Sequence, residues 1–210
     1  MIHFRLFGIP IEIQPFFWLI LVLLGSNFGT SISGANQALN VALFVIAGAI
    51  SILVHELGHA LMGRKFKATP YIVLHGFGGY AAFPDARFTR VQSFLVTAAG
   101  PLLQLLLGGI ALACFMIDYE YTENFKHFLF SLTLVSIFWA LINCVPVIPL
   151  DGGQMLHAAM GMQRRKLTLQ ISIGAAVIAG AVMIKMGSLM FPLILAYYAW
   201  QNYQELRAYR

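Results

Sequence analysis

The feature that most constrains this chain is a His-Glu-Leu-Gly-His motif at residues 55–59. It ends a run from Ile13 to Val54 that contains no charged side chain. Side chains four residues apart lie on one face of a helix, so His55 and His59 would present two imidazoles one turn apart. Two such nitrogens can hold a zinc ion, and the intervening glutamate can act as general base. Because ionisable side chains are costly inside an apolar helix, the cluster indicates a functional site.

Composition places the rest of the chain in a membrane. Of its 210 residues, 60% are hydrophobic and 10% are charged, with a mean hydropathy of +0.79, whereas soluble domains carry about 25% charged residues. A membrane-spanning helix needs about 20 mainly apolar residues. The stretches of low charge that predict about six transmembrane helices are Ile13 to Phe28, Ala38 to Gly63, Val91 to Ile117, Phe128 to Leu150, Leu167 to Ile184 and Met186 to Gln204.

Most of the basic residues are predicted to lie on one side of this membrane. Only Lys126 and Lys185 are expected on the other side, together with Asp118, Glu120 and Glu123. The positive-inside rule then predicts six crossings, with both termini in the cytoplasm of a bacterial or archaeal cell. Because this topology explains where the basic residues lie, the net charge of +5 is not interpreted as a nucleic-acid-binding surface, and no binding of nucleic acid is predicted. The basic residues on the cytoplasmic side are Arg5, Arg64, Lys65, Lys67, Arg87, Arg90, Arg164, Arg165, Lys166, Arg207 and Arg210.

Two short segments have the pattern of strands. Residues 1–14 alternate between apolar and polar side chains around Gly8, which predicts a small N-terminal hairpin. The segment Tyr71 to Phe83 combines β-formers with three glycines and is too short to cross, so it predicts a β-hairpin that dips into the membrane. The predicted fold is an all-α polytopic membrane protein with these two hairpins, forming a single domain over residues 1–210.

A third metal ligand is expected from a break in the fourth apolar stretch. Catalytic zinc sites have three protein ligands and an open position for water. Asp151, in the Pro/Gly-rich segment 143–153, is the only carboxylate outside the motif that the pattern places near a buried break. We therefore expect one zinc ion per chain, held by His55, His59 and Asp151. Two alternatives stay open, because Asp151 also suits a helix N-cap and His157 is a rival ligand.

These residues predict hydrolysis of a peptide bond. Zinc lowers the pKa of a bound water toward about 7, so that Glu56 can accept its proton during attack on the carbonyl and later protonate the leaving amine. A substrate helix must unwind first, and a strand edge of the second hairpin can pair with its exposed backbone. The residues expected to contact substrate are Asn143, which would donate a hydrogen bond, the edge residues Ile72, Val73 and Leu74, and the turn residues Gly78 and Gly79.

Five groups of residues resemble a known family along nearly the whole chain. They are Gly8-Ile9-Pro10-Ile11, the motif at 55–59, Phe77-Gly78-Gly79, Ala99-Gly100-Pro101, and Asn143 and Pro146 followed by Leu150-Asp151-Gly152-Gly153. In these residues the chain resembles the site-2 protease family of intramembrane zinc metalloproteases. The resemblance implies zinc on His55, His59 and Asp151, with Glu56 as base. Gln104 departs from it, because an asparagine is expected there.

The resemblance also implies a biological role. Substrates would be membrane-spanning proteins, cut in regulated intramembrane proteolysis. Because the helix from His55 to Arg64 at the cytoplasmic side is only about 13 Å long, the cut is expected near the cytoplasmic face. No PDZ or CBS module is expected in residues 1–210. Two alternatives from other classes are a proteolytically inactive scaffold or chaperone that retains the fold, and a metal transporter. The presence of both histidines, Glu56 and Asp151 argues against the scaffold, and apolar outer halves of the spans argue against the transporter.

Overall fold

The computed structural model describes residues 1–28, 36–117 and 120–209; Asp118 and Arg210, used above to orient the chain, lie outside them. The chain divides into two compact units, one of Met1–Arg87 with Ala99–Ala140 and one of Phe88–Ala98 with Leu141–Arg210. In chain order the elements are β1 (Ile2–Leu6), β2 (Ile9–Ile13), α1 (Pro15–Phe28), α2 (Gln37–Lys65), β3 (Tyr71–His75), β4 (Gly78–Ala82), α3 (Arg90–Met116), α4 (Glu123–Asn143), α5 (Asp151–Met160), a 3-10 turn (Met162–Arg164), α6 (Arg165–Lys185) and α7 (Met190–Ala208).

Four of the described helical segments are long and apolar enough to cross a membrane. They are α2, α3, α4 and the segment Met162–Lys185, which ends with α6. The apolar part of α1, Pro15–Ser26, is shorter than a full span. Helix α7 is not one of these four segments, and its last turn contains the charged Arg207. This arrangement supports a mostly helical membrane protein, whereas the number of six crossings stays a prediction.

A four-stranded sheet in the first unit contains both predicted hairpins. In the β1–β2 hairpin, Phe7 and Gly8 both have positive φ (51° and 76°), as a two-residue type I′ turn requires. Strands β3 and β4 form the second antiparallel hairpin. The two hairpins are joined by parallel pairing of β2 with β3, in which Ile11 lies opposite Ile72, giving the order β1-β2-β3-β4. The depth of this sheet in a membrane stays a prediction.

The position of β3 contradicts the predicted strand edge. Ile72, Val73 and Leu74 pair with β2 on one side and with β4 on the other, and they are 0%, 4% and 1% exposed. A run of large aliphatic residues suits a strand that is covered by neighbours, which is why these residues lie inside the sheet. The edge strands of the described sheet are β1 and β4. Strand β4, Gly78–Ala82, is the half of the predicted hairpin that retains an edge.

One hydrophobic core holds the sheet against α1 and α2. Alternate residues of β2 point inward, so that its isoleucines are buried while the residues between them are more exposed, and Phe17 from α1 and Leu57 from α2 join them. This core positions the motif helix, because Leu57 lies between the two motif histidines in sequence. Its buried members are Ile9, Ile11, Ile13, Phe17, Leu21, Ile52, Leu57, Ala60, Ile72 and Leu74.

The second unit is centred on packing of α6 against α7. Val147, Ala176 and Leu195 form its buried apolar cluster. Asn202 of α7 donates hydrogen bonds to the carbonyl oxygen of Ile148 at 2.9 Å and to the hydroxyl of Ser172 at 2.7 Å. The bond to Ile148 satisfies a backbone carbonyl group of the segment between α4 and α5, which has no regular structure of its own.

Candidate metal centre and active site

One turn of α2 carries the three candidate site residues of the motif. His55, Glu56 and His59 are 4%, 4% and 8% exposed. Nε2 of His55 lies 3.1 Å from Nε2 of His59, because side chains four residues apart share a helix face. A tetrahedral zinc ion with nitrogen ligands at 2.0–2.1 Å places two such nitrogens roughly 3.3 Å apart. The spacing and the donor types of this pair therefore fit a zinc ion.

Two glycines allow α3 to pack directly on this turn of α2. A Cβ on Gly100 would lie 2.3 Å from Nε2 of His59, and a Cβ on Gly58 would lie 2.4 Å from the carbonyl oxygen of Ala99. Neither position has room for a side chain, since real Cβ contacts are never that short. The Ala-Gly-Pro motif at 99–101 thus packs directly against the imidazole of His59.

His55 contacts a buried polar side chain of α3. Nδ1 of His55 lies 2.8 Å from Oε1 of Gln104, and Nε2 of Gln104 lies 2.9 Å from Oγ of Ser51. The hydroxyl of Ser136, on α4, lies 2.9 Å from Oγ of Ser51. No sequence motif predicted a role for these residues, although a polar side chain within an apolar span is the signal that identifies them.

Glu56 lies against the edge strand of the sheet. A Cβ on Gly79 would lie 2.7 Å from Cγ and 2.9 Å from Oε1 of Glu56, so only glycine leaves space for the carboxylate there. Gly78 of the same strand has a φ of +122°, a conformation that favours glycine. The structure thus brings Gly79, a predicted substrate-binding residue, next to the predicted base.

Asp151 begins α5 in the second unit. The N-cap of α5 is the preceding residue, Leu150, with φ −60° and ψ 160°, so the alternative that Asp151 is only an N-cap is wrong. A Cβ on Gly152 would lie 2.2 Å from the carbonyl oxygen of Cys144, and a Cβ on Gly153 would be 2.4 Å from backbone of the same segment. Both glycines are therefore needed for the tight fold that holds Asp151 in the first helical turn.

The other two candidate residues of the second unit lie on either side of Asp151 in sequence. Asn143 is the last residue of α4, and His157 lies near the C-terminus of α5. Nε2 of His157 is 3.2 Å from Sδ of Met162. Burial lowers the pKa of His157, and the nearby Arg165 lowers that pKa further, which favours a neutral imidazole.

Comparison with known proteins gives consistent results. A model of Peptidase family M50 matches residues 116–187. The zinc metalloprotease MJ0392 of Methanocaldococcus jannaschii is 28% identical over 194 residues, 91% of this chain and 55% of the relative. The putative zinc metalloprotease sll0528 of Synechocystis sp. is 30% identical over 202 residues, 88% of this chain and 51% of the relative. The chain spans about half the length of the curated relatives it matches.

A solved structure has a similar fold. The Site-2 Protease from Methanocaldococcus jannaschii superimposes with a TM-score of 0.65 at 25% sequence identity. The match covers 98% of this chain and 94% of that chain. The similarity therefore extends over nearly the whole chain, as the five groups of motif residues predicted.

Proposed function

We propose that this chain, which is homologous to the site-2 proteases of peptidase family M50, is an intramembrane zinc metalloendopeptidase. It would hydrolyse peptide bonds within membrane-spanning segments of other proteins, near the cytoplasmic face, in regulated intramembrane proteolysis. The observation that carries the proposal is the buried pair of imidazole nitrogens 3.1 Å apart, with Glu56 beside them, in an apolar helix. An ionisable cluster in such a helix requires a functional explanation.

The proposed metal is one zinc ion per chain, with His55, His59 and Asp151 as its ligands. The two histidines supply nitrogens at a suitable spacing, and Asp151 is the carboxylate that the Leu-Asp-Gly-Gly motif holds in the first turn of α5. Three protein ligands with an open position for water are typical of catalytic zinc sites. Zinc would supply Lewis acidity there, both to acidify water and to polarise the scissile carbonyl.

Glu56 is the proposed general base. Its carboxylate is 4% exposed and lies on the same helical turn as the two proposed histidine ligands. It would accept the proton of the attacking water and donate that proton to the leaving amine. Asn143 remains a proposed hydrogen-bond donor to the oxyanion or to the substrate backbone.

The proposed substrate-binding strand is β4 rather than β3. His75 and Gly78 flank a two-residue turn and form the hydrogen-bonded pair next to it. The direction of the N–H groups alternates along a strand, so those of Gly79 and Ala81 face away from β3. An unwound substrate segment can pair with them as an added strand. Because Gly79 touches Glu56, a substrate on this edge would lie beside the base.

The proposed topology follows the charge pattern. The chain would form one catalytic domain over residues 1–210 that crosses a bacterial or archaeal cell membrane about six times, with both termini in the cytoplasm. Support comes from four described helical segments of spanning length and from the segregation of basic residues.

Cleavage of a membrane-spanning reporter in liposomes tests this proposal. The zinc-loaded protein should cut the reporter in the cytoplasmic half of its span, and Glu56→Gln should retain zinc but lose cleavage. Mass spectrometry of the products locates the cut. A folded, zinc-loaded protein that cuts no spanning reporter would support the inactive scaffold or chaperone instead.

A further inference from the structure

A line of buried polar side chains leads from His55 to two other helices. Gln104 on α3, Ser51 on α2 and Ser136 on α4 are each 0% exposed. Successive polar atoms along this line are 2.8, 2.9 and 2.9 Å apart. Ser51 precedes His55 by one helical turn, so the amide of Gln104 bridges two neighbouring positions on the same face of α2.

The contacts of Gln104 determine which way its amide faces. Its Nε2 lies 3.4 Å from the backbone carbonyl oxygen of Ser51, which can only accept a hydrogen bond. The NH₂ group therefore faces Ser51, and the amide oxygen faces His55. Since that oxygen is also only an acceptor, Nδ1 of His55 must carry the proton. The unprotonated Nε2, with its lone pair, is then the nitrogen next to His59.

We propose that Gln104, oriented by Ser51, is a positioning residue that holds His55 in the Nδ1–H tautomer and fixes its ring rotation for metal binding. This inference rests on the proposed function, because it requires that His55 binds a metal. Hydrogen-bond partners of metal-bound histidines commonly fix the tautomer in this way, and their loss weakens metal binding by about 10–100-fold.

The competing explanation is that the three side chains only hold α2, α3 and α4 together. Buried polar groups in apolar helices do stabilise helix packing, and Ser136 contacts the line only at its far end. The two explanations differ in what they predict for metal-free protein. A packing role affects stability alone, whereas a positioning role affects the protonation site of His55 before any metal is added.

The test compares four variants of the whole protein in detergent. Gln104→Leu removes the acceptor at similar size, and Gln104→Glu retains an acceptor for Nδ1–H. Ser51→Ala removes the direct support of the amide, and Ser136→Ala, the matched control, removes only the distal hydroxyl. Nitrogen NMR of ¹⁵N-histidine-labelled, metal-free protein reports the tautomer of His55. Competition with a chromophoric chelator measures zinc affinity, and thermal unfolding reports folding.

The expected results form a graded series. Gln104→Leu should convert His55 to a mixture of tautomers and weaken zinc binding by about 10–100-fold, while Gln104→Glu should keep the tautomer and bind zinc within about threefold of the parent. Ser51→Ala should have a smaller effect than Gln104→Leu, and Ser136→Ala the smallest. If Gln104→Leu is folded but leaves both the tautomer and the zinc affinity of the parent, the positioning role is wrong.

Failure of this inference is distinguishable from failure of the proposed function. If the parent binds zinc and cleaves a reporter while Gln104→Leu behaves identically, only the positioning role is lost. If the parent shows the Nδ1–H tautomer but binds no zinc, both the metal-binding function and a metal-directed role for Gln104 are overturned. If Gln104→Leu does not fold, Gln104→Glu and Ser51→Ala decide the question. The positioning role is then wrong if Ser51→Ala keeps the tautomer and zinc affinity of the parent while Gln104→Glu has an altered tautomer.

Discussion

The His-Glu-His turn of α2 and the β3–β4 hairpin meet where Glu56 touches Gly79, but different forces position them. His55 and His59 share a face because of their separation along one helix, and no other element is needed to set it. Gly79 reaches Glu56 only because β4 pairs with β3, and β3 in turn pairs with β2. The geometry of the turn is local, whereas the geometry of the hairpin depends on residues far away in sequence.

This difference determines how each region responds to mutation. A change in the surroundings of α2 leaves the spacing of its imidazoles intact as long as the helix persists. A slip of the β3–β4 register by one residue would exchange the faces of every side chain of β4 and move Gly79 away from Glu56. The turn is therefore expected to tolerate distant changes that the hairpin does not.

The largest effects are expected within the turn itself. His55→Ala and His59→Ala should lose zinc and reporter cleavage, because each removes a ligand. Glu56→Gln should retain zinc but cleave about 10²–10⁴-fold more slowly, because it removes only the base. Metal analysis of the purified variants beside cleavage rates separates the two classes. A Glu56→Gln protein with parental turnover would exclude Glu56 as the base.

Asp151 tests whether a residue outside the turn is equally necessary. Asp151→Ala should weaken zinc binding by more than Gln104→Leu, for which a loss of zinc affinity of about 10–100-fold is expected. The reason is that Asp151→Ala removes a ligand, whereas Gln104→Leu removes only the hydrogen-bond partner of a ligand. His157→Ala is the matched control and should bind zinc normally, since Nε2 of His157 faces Met162. Zinc titration measures both. Full zinc occupancy and activity in Asp151→Ala, with loss in His157→Ala, would transfer the ligand role to His157.

Close packing on the turn is tested by two glycines. Gly58→Ala places a Cβ 2.4 Å from the carbonyl oxygen of Ala99, so it should destabilise the fold by about 1–3 kcal/mol. Gly109→Ala, in α3, meets nothing within 4 Å and should be neutral or stabilising by up to about 1 kcal/mol. Unfolding in detergent compares them. Equal stability of the two variants would contradict the close approach of α2 and α3.

The smallest effect is expected at the strand edge. Ala81→Pro removes an N–H group that faces away from β3, so it should slow cleavage by about tenfold, equivalent to one hydrogen bond of about 1.4 kcal/mol, without loss of zinc. Ala81→Val keeps the N–H group and should cleave at close to the parental rate. Steady-state kinetics with the same reporter distinguish the two variants. Parental cleavage by zinc-loaded Ala81→Pro would remove the strand-addition proposal.

The sequence by itself predicted those features that depend on spacing within one element. The His-Glu-His turn follows from the helical period, the two hairpins from their alternation and glycines, and the membrane location from the scarcity of charge. The tight segment before Asp151 was recognised from its prolines and glycines. Each of these signals is contained in a short window, because the physical constraint acts between near neighbours of the chain.

Only the tertiary structure decided which elements contact one another. It joined the hairpins through β2 and β3, placed Ile72–Leu74 inside the sheet rather than at its edge, and set Gln104 against His55. A strand of large aliphatic residues suits several positions in a sheet, and a glutamine in an apolar helix has several potential partners. The choice among them depends on the free energy of packing summed over distant segments, which no local pattern in the sequence contains.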